Sequence, residues 1–401
     1  MAMPVARIPN APFVPHAVLE VAALPAAVRA DGIEFFPLRP ALSSLWHGLR
    51  VLRATGYDEL GHALSMFTAG IVDHARAVAA RVRDWQADVV VADYLFLAAW
   101  FGARLADRPF AAFYHSALPF TSADGPPFGS GIAEGAPGDP AWREAQGRLD
   151  LVTSRAEARV ADGARRLGLD APRSGFLGRP YSDDANLLAT LPELEPGLPP
   201  LEGAVEFTGP CLGGRAHEDP THPALQALRK GMRHAYVSLG TVFNDNPRVF
   251  EGILRGLDMD GLRVIVSAGA SAEHLRRRPV STNCDIFVRV PQVALLDRVD
   301  VVVTHGGNNT TLETLAAGKP MLVIPFGGDQ IQNAWRVRQL GVGLSLQPAR
   351  ATRVEVSAAA TRLFSEATYR AAAARAAAAL TGVDGSQRAG EAILALAHAG
   401  R

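Results

Sequence analysis

Short apolar, β-branched runs alternate along this chain with longer stretches in which apolar residues return every three or four positions. The first kind of pattern reads as strand and the second as helix. Residues 18–24 and 33–38 are two such runs, and a helical pattern follows over about 40–85. The segment 88–93 (DVVVAD) predicts a strand bounded by aspartates, 95–106 a helix and 109–114 another strand. A long Gly- and Pro-rich interval over 120–140 predicts a surface loop, open to reading as either a connector or a substrate lid. A short strand is expected at 204–208, after which the alternation restarts. Strands are predicted at 234–239, 262–267, 286–290, 301–304 and 321–325. Helices are predicted over 247–257, 310–317 and from 332, with a helical turn at 293–296. Two Ala-rich segments close the chain as helices. Strands separated by crossover helices imply parallel sheets, so the fold class is α/β.

The 401 residues are enough for two or three domains, each with its own core. A Pro-rich passage over 191–223 shifts the composition and places a linker between about 209 and 225. The expected domains are therefore 1–215 and 216–401, with the last helix free to pack back on the first. At 48% hydrophobic and 20% charged, the chain is not disordered. Forty basic and forty acidic side chains cancel, which leaves no field to hold nucleic acid or an anionic membrane. The two cysteines, Cys211 and Cys284, stand apart, so no zinc ribbon or redox CxxC motif exists. No run approaches the roughly 18 apolar residues of a membrane helix, and the first residues lack a signal-peptide pattern. A cytoplasmic protein without an integral membrane segment is expected.

The most informative stretch is 301–343 (VVVTHGGNNTTLETLAAGKPMLVIPFGGDQIQNAWRVRQLGVG). A buried strand ends at Thr304 and His305. Gly306 and Gly307 let the backbone turn sharply and approach a ligand. Asn308, Asn309 and Thr310 are good helix starters, and the helix should stop at Gly318 before Pro320. A strand, a glycine turn and a new helix N-terminus together make an anion site, because unpaired amides and the positive dipole end point to one spot. His305 can add a hydrogen bond or a charge to a diphosphate. Glu313, one turn into the helix, can hold ribose hydroxyls, and Asp329 and Gln330 in the next turn suit a polyol. Each piece alone reads better as a capped helix or an ordinary loop.

Taken together, these residues resemble the nucleotide-sugar-dependent glycosyltransferases of family 1, of the bacterial natural-product and macrolide type. The resemblance rests on H-G-G-x-N-[ST]-x-x-E from His305 to Glu313, on Asp329-Gln330 with Asn333-Ala334, and on Pro291-Gln292. It also rests on VSLGT at 237–241 and FTGP at 207–210. It implies the GT-B fold, two facing Rossmann-like domains with parallel sheets. It further implies that His305 and the amides of Gly306 through Thr310 hold the donor diphosphate, together with Thr241. Glu313 would take the ribose, Gln292 and Arg289 would border the base, and Asp329 and Gln330 would bind the sugar. No metal and no cofactor are expected; the nucleotide sugar is a co-substrate.

The same resemblance expects a first strand and a loop with a catalytic histidine in a G-H-x-x-P context. Residues 1–17 are too few for these, which implies that roughly 20 to 25 residues are absent. Asp93 would orient that histidine. His16 is the candidate base nearest the start, although it fits better as a non-catalytic histidine before the strand at 18–24. Asp93 is also a plausible cap for the helix after it, and His115, just past a strand end, reads either as facing an acceptor or as a hydrogen-bonded loop residue. Phe96, Trp100, Phe113 and Phe120 hint at an apolar acceptor pocket, with core packing the plainer explanation. Asp258-Met-Asp260 is a DxD explained by turn chemistry. The Arg276–Arg278 cluster reads as a solvated loop.

The expected function is inverting transfer of a sugar from a UDP- or dTDP-sugar to a hydroxyl of a hydrophobic small molecule. Two other readings stay open: a nucleotide-sugar-binding paralogue with little turnover, and an epimerase of sugar nucleotides on the same fold.

Overall fold

The computed structural model describes residues 56–120, 125–130, 138–172, 177–212, 219–240 and 246–399. The strands expected at 18–24 and 33–38, and the site candidates His16 and Thr241, lie outside the described residues. The chain divides into two compact units. The first holds the residues up to Pro192, Gly197–Cys211 and the chain from Asp384 onward; the second holds Glu193–Pro196 and Leu212–Val383.

In the first unit, β1 (Val90–Asp93), β2 (Phe110–Tyr114), β3 (Ala185–Leu188) and β4 (Val205–Phe207) form a parallel sheet in that order. The side-chain period of two divides it into two faces. Val90, Phe110, Ala112, Tyr114 and Leu188 join one core with the helices Ile71–Asp84 and Leu97–Leu105. Gly102 permits the close approach of these two helices, since a Cβ there would lie 2.6 Å from Val78 Cβ. Val91, Ala111, Phe113, Ala185 and Leu187 face the other way and pack with Ala389, Ala392, Ile393 and Leu396. These last four belong to the closing helix Gly385–Ala399, which is therefore part of the first unit although it follows the whole of the second.

The expected helix over 40–85 is, where described, two helices, Gly56–Thr68 and Ile71–Asp84, broken at Gly70 with φ 68°. The 28-residue helix Pro140–Leu167 was not among the predicted elements. Asp139 starts it by accepting from the Ala141 amide at 2.8 Å, and Gly168 ends it in the left-handed conformation. Phe96, Trp100 and Phe120 lie in the main core of this unit, and Phe113 lies under the closing helix, so packing accounts for all four aromatics.

In the second unit six parallel strands stand in the order β10-β9-β8-β5-β6-β7. They are β5 (Arg233–Ser238), β6 (Leu262–Ser267), β7 (Cys284–Phe287), β8 (Val301–Thr304), β9 (Met321–Val323) and β10 (Gly343–Ser345). Burial on both faces explains why β5, β6 and β8 read as continuous apolar runs. The chain lays down β5, β6 and β7 toward one edge, then returns to place β8 on the free side of β5. The loops leaving β5 and β8 thus diverge, and the crevice at their carboxyl ends is where such sheets hold ligands. The strand expected at 286–290 runs instead over β7, two residues earlier; Val288 and Arg289 beyond it are exposed at the edge of the sheet. The helix Arg353–Ser365, unpredicted, packs with Pro247–Gly256. Within the same unit the buried Arg336 pairs with Glu195 at 3.0 Å. Among the described residues no helix is long and apolar enough to cross a membrane, and no cluster of three or more potential metal ligands occurs.

Candidate functional site

The switch between β5 and β8 gathers most of the residues singled out in the sequence. His305 leaves the end of β8 and its ring lies against the backbone of two glycines. A Cβ on Gly240, just past β5, would sit 2.5 Å from His305 Nε2, and one on Gly307 would sit equally close. Glycine at both positions is what lets the imidazole enter the crevice. Gly306 has a different duty: with φ at 87° it makes the turn, and a Cβ there would lie 2.6 Å from Val323 Cγ1. The turn is pinned from outside. The Gly306 amide donates to Thr304 Oγ1 at 3.2 Å, and the fully buried Asn333 donates through Nδ2 to the Gly306 carbonyl at 2.8 Å.

Part of His305 still reaches solvent, but the ring itself is enclosed, and this burial depresses its pKa to about 4. At neutral pH the imidazole is uncharged, so toward an anion it offers a hydrogen bond before it offers a charge.

The helix after the turn runs Asn308–Ala316 and stops before Gly318, at φ 64°. Its N-cap is Gly307, one residue earlier than the helix starters in the sequence indicated, and a glycine brings no capping side chain of its own. A helix N-terminus that follows a glycine turn is the arrangement an anion exploits.

A polar chain continues along this helix. The Gln292 amide donates to Glu313 Oε2 at 2.5 Å and to Thr310 Oγ1 at 3.2 Å. The Gln292 carbonyl accepts from the hydroxyl of the buried Tyr236 at 2.8 Å. Gln292 therefore holds the carboxylate of Glu313 in place, and Tyr236 on β5 holds Gln292. The sequence reading missed Tyr236; its only signal was a tyrosine in an otherwise aliphatic strand, where a buried hydroxyl needs a partner. Arg289, on the loop between β7 and Gln292, is exposed.

The turn after β9 brings Asp329 and Gln330 to the same carboxyl edge of the sheet. Gln330 is buried, and its side-chain oxygen accepts from the Phe326 amide at 2.8 Å, so it braces this turn. Asp329 is half-buried at the cap position of the helix Gln330–Gln339 but does not cap it through its side chain. The structure thus brings together His305 to Thr310, Glu313, Gln292, Asp329 and Gln330 around one crevice edge.

Asp93 belongs to the first unit, at the carboxyl end of β1. Its Oδ1 accepts from the Leu95 amide at 2.7 Å and its Oδ2 meets His115 Nε2 at 2.5 Å.

Residues 257–383 match the family model described as erythromycin biosynthesis protein CIII-like, C-terminal domain. The 4'-demethylrebeccamycin synthase of Lentzea aerocolonigenes is 31% identical over 322 residues, 77% of this chain and 74% of that protein. The NDP-glycosyltransferase YjiC of Bacillus licheniformis is 32% identical over 142 residues, 35% of each. Among solved structures, CalG4, the calicheamicin glycosyltransferase, superposes with a TM-score of 0.71 at 21% identity, covering 93% of this chain and 88% of the other. With the strand order and the glycine turn at the switch point, these likenesses establish that the chain belongs to the family 1 glycosyltransferases of the bacterial natural-product type and has the GT-B fold.

Proposed function

We propose that the protein moves a sugar, with inversion, from a UDP- or dTDP-sugar onto a hydroxyl of a hydrophobic small molecule. The observation that carries the donor class is the glycine-capped helix start at Gly307 beside the neutral ring of His305. A diphosphate placed there accepts from the first-turn amides and from the imidazole. Glu313, oriented by Gln292, takes the ribose hydroxyls, and the base lies along the segment from Arg289 to Gln292. Asp329 and the amide of Gln330 receive the hydroxyls of the sugar.

In the reaction the acceptor oxygen forms a bond to the anomeric carbon from the face opposite the diphosphate. The carbon–oxygen bond to the diphosphate breaks, and its electron pair leaves with the phosphate. The helix amides and His305 stabilise that developing charge without needing to reorganise, because their positions are set by backbone packing.

Calorimetric titration with UDP tests the donor assignment. Wild-type protein should bind, and His305→Ala and Glu313→Ala should each weaken binding about tenfold or more, the worth of one charge-assisted hydrogen bond. Unchanged affinity in both variants would remove the assignment.

A further inference from the structure

Tyr236 is the one tyrosine of β5 (RHAYVS), and the pleat of the strand directs it. Ala235 and Val237 on either side belong to the apolar core shared with the helices Pro247–Gly256 and Arg353–Ser365, so the Tyr236 ring projects from the opposite face. The residue is 1% exposed. Phenylalanine would fill almost the same volume, whereas a hydroxyl withdrawn from water carries a cost that a hydrogen bond must offset. That bond runs to Gln292, 56 positions later, whose side-chain oxygen accepts from it at 2.8 Å.

The hydroxyl thereby fixes which way the Gln292 amide faces. A carboxylate only accepts, so Gln292 Nε2 is the atom that meets Glu313 Oε2, at 2.5 Å. The same nitrogen donates to Thr310 Oγ1 at 3.2 Å. Turned over, the amide would set its oxygen against the carboxylate. Tyr236 and Glu313 therefore hold one orientation from opposite sides, and both polar atoms of the amide are engaged. β5 and the helices Gln292–Leu296 and Asn308–Ala316 all belong to the second unit, so this chain of bonds is complete within it. A carboxylate presents about four lone-pair positions, and the bond from Gln292 sets the direction of the rest. A ribose offers two vicinal hydroxyls to such a group, and a 2'-deoxyribose offers one. A carboxylate that can swing follows whichever hydroxyl is present. One that is clamped keeps its place and is left short of a donor when the 2'-hydroxyl is missing.

We propose that Tyr236 is a positioning residue which, through Gln292, makes Glu313 select a ribonucleotide over a 2'-deoxyribonucleotide, so that of the two donor types above the site favours the UDP-sugar. The inference rests on the donor reading of the same crevice and adds the class of nucleotide to it.

The test is calorimetric titration with UDP and with 2'-deoxy-UDP, which share base and diphosphate and differ in one hydroxyl. Wild-type protein should bind UDP about tenfold more tightly than 2'-deoxy-UDP, the worth of one charge-assisted hydrogen bond. Tyr236→Phe keeps the ring and should narrow this ratio to within about threefold, losing affinity for UDP while 2'-deoxy-UDP binds as before within about twofold. Gln292→Leu cuts the chain at its middle and should narrow the ratio to the same extent. Adding Tyr236→Phe to it should narrow the ratio no further, because residues that act through one another are not additive. A tyrosine with a purely structural role would weaken both nucleotides alike. Wild-type affinities equal within about twofold, a ratio unchanged in Tyr236→Phe, or a double variant whose effects add would overturn the role of Tyr236 and leave the donor reading standing. Wild-type protein that binds neither nucleotide would overturn both.

Discussion

His305 shows how the two glycines and the strand ends decide the chemistry of one side chain. An imidazole in water gains its proton near pH 6.5. In the fold, enclosure between Gly240 and Gly307 denies the cation its hydration, and the pKa falls to about 4. Between these two values the unfolded chain binds a proton that the folded one does not. The contribution to stability is thus complete above about pH 6.5 and is lost as the pH falls toward 4. His305→Asn, which cannot titrate, should flatten the decline in melting temperature over this window relative to wild type; parallel curves for the two proteins would contradict the burial of the ring. His305 itself was legible from its place in the HGG turn. Its charge state was not, because the neighbour that encloses it, Gly240, is 65 positions away in sequence and adjacent only through the pairing of β5 with β8.

At the scale of the element, the two glycines of the turn have separable roles. Gly306 needs a positive φ of 87° and has Val323 against it, so alanine there is strained in its backbone and clashes with its neighbour. The expected cost is about 2–4 kcal/mol. Gly307, at φ −59° and ψ 142°, lies in a region alanine also occupies, and the penalty is only that of alanine at an N-cap, about 1 kcal/mol. Its new Cβ would instead displace the imidazole of His305. Gly306→Ala should therefore show mainly a lower melting temperature, and Gly307→Ala mainly a weaker UDP titration with the fold nearly intact. The reverse order would mean that the turn is not built as described.

Buried strands such as β6 and β8 were legible because β-branched apolar runs between turn residues have few other readings. β3 (ANLL) and β10 (GLS) contain no β-branched residue to mark them as strands, and they were missed for that reason. The helix Pro140–Leu167 was missed because only Trp142, Ala145, Leu149, Ala156, Val160 and its small residues are buried along 28 positions, a thin apolar stripe in a polar surface. At the site, Gln292 and Glu313 were both named from their motifs, yet their mutual bond was invisible, since hydrogen bonds between distant elements leave no periodic trace.

For the whole molecule, the least local feature is the closing helix. Gly385–Ala399 follows the second unit in sequence but covers a face of the first, with Ile393 and Leu396 against Val91, Ala111, Phe113 and Leu187. Its entry is fixed where Gly385 lies against the carbonyls of Gly209 and Pro210, leaving no room for a side chain. The FTGP segment is thus a seat for the last helix as well as the point where the chain leaves the first unit. An aspartate at Ile393 would place a charge on an apolar face, costing the first unit about 2 kcal/mol. Leu394, one residue on, is 60% exposed and makes the control: Leu394→Asp should leave stability unchanged within about 0.5 kcal/mol. UDP binding, which the proposed function assigns to the second unit, should survive both substitutions. Thermal unfolding followed by UDP titration distinguishes the outcomes. If Ile393→Asp weakens UDP binding as much as it lowers the melting temperature, the two units do not unfold as the separate cores found here. If it lowers neither, the helix is not what covers the sheet.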